Sequence, residues 1–148
     1  MATSTLIQSL IIGAGADQSA RSKRQTFLAG AAIAAGDFVS LDTTKTGADR
    51  ALYVAVVDTS GGAVATGVPT IGVAMAAAAA GAKVVVTVAG YAEGANVATG
   101  STANLALSLD TTTSGRAAIA AAANINIAAV ALEDAVANKA DVWVMPSI

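Results

Sequence analysis

The 148-residue sequence contains no Cys and no His. That excludes disulfides, thiol catalysis, Cys/His zinc sites and imidazole acid–base chemistry. Aromatics are scarce: two Phe, two Tyr and one Trp. This argues against a stacking surface for single-stranded nucleic acid. A net charge of −2 argues against wholesale neutralisation of duplex phosphates. No apolar run approaches the roughly 20 residues of a membrane-spanning helix, and the stretch LIIGAGA at 10–16 is interrupted by Gly13 and Gly15. The opening MATSTLIQSLIIGAGA lacks the basic start of a secretion signal, and its cations follow the apolar stretch instead of preceding it. The expectation is no nucleic-acid partner and no membrane.

What is abundant is alanine. Of the apolar residues 39 are Ala, against 42 Met, Leu, Ile, Val, Phe, Trp and Tyr together. Apolar burial stabilises by roughly 25 cal/mol per Å², and Ala brings little area. A core this poor in large groups is expected to be supplemented by association between subunits. Charge is unevenly placed: Asp17, Arg21, Lys23 and Arg24 make residues 1–24 basic, and the remainder is acidic. A basic arm on an acidic body suggests that the arm meets a partner.

From Phe27 onward, short Val/Ile/Leu runs alternate with Gly, Asp, Asn and Thr clusters, the spacing of a strand-and-turn protein. The pattern predicts strands at 37–41, 50–57, 70–75, 83–89, 105–109, 116–120, 125–132 and 141–145. KVVVTVA at 83–89 and DVWVM at 141–145 read as apolar on both faces. The Ala run at 76–80 and EDAVANK at 133–139 read as short helical turns.

One polar phrase is written twice. SLDTTKTG at 40–47 and SLDTTTSG at 108–115 agree at six of eight positions, at an offset of 68. Further on, 71–88 aligns with 128–145 at an offset of 57. The difference of 11 is assigned to an insertion within the Gly-rich 58–69. Each half then reads as strand, Asp-Thr-Thr turn, strand, strand, short helical turn, strand. In that turn Asp42 or Asp110 accepts bonds from the backbone just after it, and Gly47 or Gly115 supplies a positive φ. The expected fold is mainly β: a compact barrel- or sandwich-like body, residues 27–148, built from pseudo-repeats at about 37–90 and 105–146. Residues 1–26 are expected to form an extended N-terminal arm.

No motif carries catalysis or a cofactor. GAGADQ at 13–18 lacks the third Gly of a dinucleotide fingerprint. Glu133 and Asp134 are adjacent and point apart, so they do not form a catalytic pair. Glu93 is read into an exposed loop, GYAEGAN. No nucleophile has an evident base. The expectation is no enzyme, with no catalytic, cofactor-binding or metal residues.

The ordered phrases AGAAIAAGDFVSLD, PTIGVAMAAAAAGAKVVVTVAG, a second LSLD…G and a terminal VALEDAVANKADVWVMP, over roughly 28–146, resemble the capsid cement (head decoration) proteins of tailed bacteriophages. The resemblance implies a structural virion protein, made in the host cytoplasm, on the outer surface of an expanded icosahedral head. It implies bridging of neighbouring major capsid subunits, and a homotrimer or sometimes a dimer. The arm's Leu6, Ile7, Leu10, Ile11 and Ile12, with Arg21, Lys23 and Arg24, are the candidate contacts to capsid or neighbouring subunit. A different virion component, a minor capsid, tail or fibre-associated module binding host glycan, is the alternative. Tyr53, Tyr91 and Trp143 would be its aromatic platform.

Overall fold

The computed structural model describes residues 21–42, 46–48, 54–57, 70–110, 112–121 and 127–145. They form nine strands: β1 (Ser22–Ala29), β2 (Phe38–Leu41), β3 (Val54–Val57), β4 (Thr70–Ala74), β5 (Lys83–Asn96), β6 (Ala106–Leu109), β7 (Ala117–Ile119), β8 (Ala129–Ala131) and β9 (Lys139–Val144). They join in one sheet, ordered β1-β3-β2-β4-β5-β9-β8-β6-β7, with β1 also paired to β5. The extra pairing closes β1-β3-β2-β4-β5 into a ring of five strands. In the second half β5-β9-β8-β6-β7 makes a second ring, closed by the parallel bridge between Val97 and Ala117. The mainly β, barrel-like expectation holds.

The duplication is visible in the pairing. β3-β2-β4-β5 and β7-β6-β8-β9 have the same order and the same antiparallel neighbours. Val39 pairs with Val57 as Leu107 pairs with Ile119. Val73 pairs with Phe38 as Val130 pairs with Ala106. Each unit begins one strand earlier than the repeated phrase indicates. Ala29 bridges Ala55 as Val97 bridges Ala117, and Leu28 pairs with Lys83 as Asn96 pairs with Lys139. The 14-residue β5 therefore serves twice, as last strand of the first unit and first strand of the second.

Several expectations are corrected. Ser22–Thr26, assigned to the arm, are the first part of β1. GYAEGAN is strand, with a register shift between Ala92 and Ala95, although Glu93 is exposed as expected. The segments 76–80 and 133–139 are bends and turns, tied by the bridges Ile33–Ala78 and Val136–Lys139, and not helical turns. The 11-residue difference is divided: Val57 matches Ile119 at an offset of 62, so part of it lies between the first two strands of the alignment and the rest between the next two. Loop lengths vary freely at a sheet's rim, whereas ladder pairing holds register. Finally, Val86 and not Val85 matches Val142, because Ala74–Val86 and Ala131–Val142 are the equivalent pairs. The alternation agrees: Val86 and Val142 are fully buried and Val85 is exposed.

Two apolar clusters fill the two rings. Phe27, Ala29, Ile33, Val39, Ile71, Ala74, Val84 and Val86 form the first. The second is rich in Ala: Phe27, Ile71 and Val84 of the first correspond to Ala95, Ala128 and Ala140 of the second. Phe38 and Val73, cross-strand partners on β2 and β4, point away from their own ring and complete the second cluster. The Ala-rich interior thus receives its largest side chain from the other unit.

The repeated phrase performs the turn expected of it where it is described. Thr112 donates through its N–H and its hydroxyl to Asp110 Oδ1, at 2.8 and 2.7 Å. Arg116 Nε and Nη2 reach Asp110 Oδ2 at 2.6 and 2.5 Å. Burial alone would raise the Asp110 carboxyl; the Thr112 and Arg116 partners outweigh it and hold the group below its usual range. Gly47 and Gly115 have φ of 60° and 70°, while Thr43, Thr44, Lys45 and Thr111 lie outside the described residues. Gly115 also touches the other unit. Its carbonyl accepts from Phe38 N–H at 2.9 Å, and a Cβ there would stand 2.7 Å from Asp37 Cγ. Asp37 is itself buried, accepting from Ala34 N–H at 2.8 Å and from the Asn96 amide.

Candidate functional site

The second ring has an outer face as well as an interior. On β9, Ala140, Val142 and Val144 point inward and are buried. Strand alternation sends Asp141, Trp143 and Met145 to the other side. Directly opposite residues of an antiparallel pair share a face. Tyr91 is opposite Trp143, Trp143 opposite Val130, and Val130 opposite Ala106. One row therefore crosses β5, β9, β8 and β6 on the outside. Leu132, two residues beyond Val130, and Met145, two beyond Trp143, widen it. Trp143 is 42% exposed, Leu132 44% and Met145 40%. DVWVM is thus apolar on both faces as its pattern indicates, with one face outside.

A polar rim borders this face. Tyr91 donates its hydroxyl to Asp141 Oδ2 at 2.6 Å, and Gly94 N–H donates to Asp141 Oδ1 at 3.0 Å. Glu133 Oε1 accepts from Asp141 N–H at 3.0 Å. The neighbouring Asp134 turns elsewhere, accepting from Ala103 N–H at 2.9 Å, so the adjacent carboxylates diverge as read. The hydrogen bond to Asp141 pushes the Tyr91 phenol up to about 12, helped by partial burial and by the nearby Asp141, Glu93 and Glu133 charges.

This has a measurable consequence. An ordinary Tyr ionises near pH 10, so the folded Tyr91 holds its proton more tightly than the unfolded one. The stabilisation from the bond is complete below pH 10 and is lost as pH rises through about 12. Ultraviolet titration of the folded protein should show a tyrosine ionising near 12, absent in Tyr91→Phe. Between pH 10 and 12 the unfolding free energy of the parent should fall more steeply than that of Tyr91→Phe; parallel curves would refute the assignment.

The cations chosen from sequence sit together on and just before β1. Arg21, Lys23 and Arg24 are all exposed. Arg21 accepts from Tyr91 N–H through its backbone carbonyl at 3.0 Å, which puts the start of the described chain beside the aromatic row. Leu6, Ile7, Leu10, Ile11 and Ile12 lie outside the described residues, as does Tyr53. The sequence names Tyr91 and Trp143, with Tyr53, as the candidate aromatics of a glycan-binding alternative. The direct pairing of Tyr91 with Trp143 was not foreseen. The available signal was the apolar outward face of 141–145 together with the chain's single Trp. Among the described residues no group of three Asp or Glu side chains is arranged to hold a metal ion.

Neither a family model nor a curated protein matches the sequence. Among solved structures, the chain is similar to the N base of the head fibre gp8.5 of bacteriophage phi29, with a TM-score of 0.57 and 12% identity, covering 83% of this chain and 93% of that one. At that identity the likeness is one of fold.

Proposed function

We propose that this chain is a structural, non-enzymatic protein of a phage virion. Its role is that of a cement protein on the outer surface of the head, bridging neighbouring major capsid subunits and associating with itself as a homotrimer. The observation that carries the reading is the fold likeness to the base of a phage head fibre, over most of both chains. It agrees with the ordered phrases that resemble head decoration proteins. A small, stiff double ring suits such a role, because many modest contacts repeated by symmetry reinforce a shell through multivalency. The segment around Leu6–Ile12 with Arg21, Lys23 and Arg24 is the proposed contact to the shell or to a neighbouring subunit. Its apolar residues dominate, since each exposed ion pair adds only about 0–1 kcal/mol.

The same likeness favours a second reading, in which the chain is the base of a fibre or another virion component. Cryo-electron microscopy of the parent particle separates the two. Touching copies spread over the head lattice, across seams between capsid subunits, are expected for cement. Isolated copies carrying a further density would make it a fibre base, and density confined to the tail would refute a position on the head.

A further inference from the structure

The apolar outer face described above lies beside the point where the N-terminal segment meets the body. Trp, Tyr and Met are enriched where proteins make contacts, and Tyr91, Trp143 and Met145 lie here with Val130 and Leu132. The chain's only Trp is spent on this surface. Residues 1–16 carry no charged side chain and include Leu6, Ile7, Leu10, Ile11 and Ile12, a composition matched to an apolar face. Residues 13–20, GAGADQSA, connect this stretch to Arg21, whose carbonyl is bonded by Tyr91 N–H. Eight residues reach at most about 28 Å fully extended. Four adjacent strands, at about 4.8 Å spacing, cover a width of about 14 Å. The connection is thus long enough to bring the apolar stretch over the row from Tyr91 to Ala106, at the high effective concentration of a short tether.

We infer that, in the protein free of any shell, the Leu6–Ile12 stretch lies on the Tyr91–Trp143–Val130 face of its own chain. The inference stands apart from the virion reading, since it concerns the free protein. Trp143 reports on it directly, because no other Trp contributes to the fluorescence. Selectively excited emission and acrylamide quenching are compared for the full chain, a chain lacking residues 1–20, and the full-length double variant Leu10→Ser, Ile11→Ser. The double variant guards against a deletion that disturbs β1, and circular dichroism checks that each body is folded. Both variants should show red-shifted emission and a several-fold larger quenching constant than the parent, at every protein concentration. Equal quenching in all three would overturn the inference. Shielding that disappears on dilution, together with a dimeric or larger mass in sedimentation, would overturn it too and assign the face to a second copy.

Discussion

Phe38→Ala is expected to cost about 3–5 kcal/mol of unfolding free energy, the range for removing a large aromatic from a packed interior. Phe38 is fully buried. It stands on a strand of the first ring but belongs to the cluster of the second. That cluster is otherwise rich in Ala, with Leu107 and Leu109 its next largest members. Small side chains held on a hydrogen-bonded ladder cannot collapse far into the void, so most of the cavity penalty remains. The adjacent Val39→Ala is the control, since its side chain faces the first cluster. It removes a smaller group and should cost about 2 kcal/mol. Denaturant unfolding of both variants checks the ordering. A loss below about 1 kcal/mol for Phe38→Ala, well under the core range, would mean that the two units are not coupled through this side chain.

Gly90→Ala should be comparably damaging for a different reason. Gly90 lies where β5 passes from one unit to the next, paired with Ser22 of β1 and with Val144 of β9. Its φ is 86°, and a Cβ would stand 2.0 Å from the Arg21 carbonyl oxygen. The left-handed conformation alone costs roughly 1–2 kcal/mol, and forcing backbone apart in a packed region adds about 1–3 kcal/mol. The expected total is about 2–5 kcal/mol, with hydrogen exchange accelerated over Ser22–Arg24 before the rest of the sheet. Gly81→Ala separates the two causes. Its φ is 81°, yet nothing lies within 4 Å of the added carbon, so it should show the conformational cost alone. Equal losses at both positions would refute the close-approach account.

The sequence by itself determined what depends on near neighbours. The spacing of apolar runs between turn residues located eight of the nine strands, all but β1, because those signals are local, although β5 runs on to Asn96, seven residues past its expected end. The turn at Asp110 was legible from Asp, Thr and Gly chemistry, although Arg116 as its second partner was not. The repeat was legible where its polar phrase survived. It faded where large core residues became Ala, as from Ile71 to Ala128 and from Val84 to Ala140.

Only the tertiary structure decided the rest. SKRQTFLA shows four consecutive exposed residues, so β1 carries no alternation to read; it is a strand because β5 and β3 pair with it. A one-residue difference in the turn before β9 moved its register, and nothing local indicates which Val of 84–86 faces inward. Tyr91 and Trp143 are 52 positions apart in the chain and become one surface only through the β5–β9 pairing. Phe38 stands on a strand of one ring and fills the interior of the other. In each case the deciding contact joins residues distant in sequence, and a strand's own pattern records how it alternates without recording which partner will cover each side.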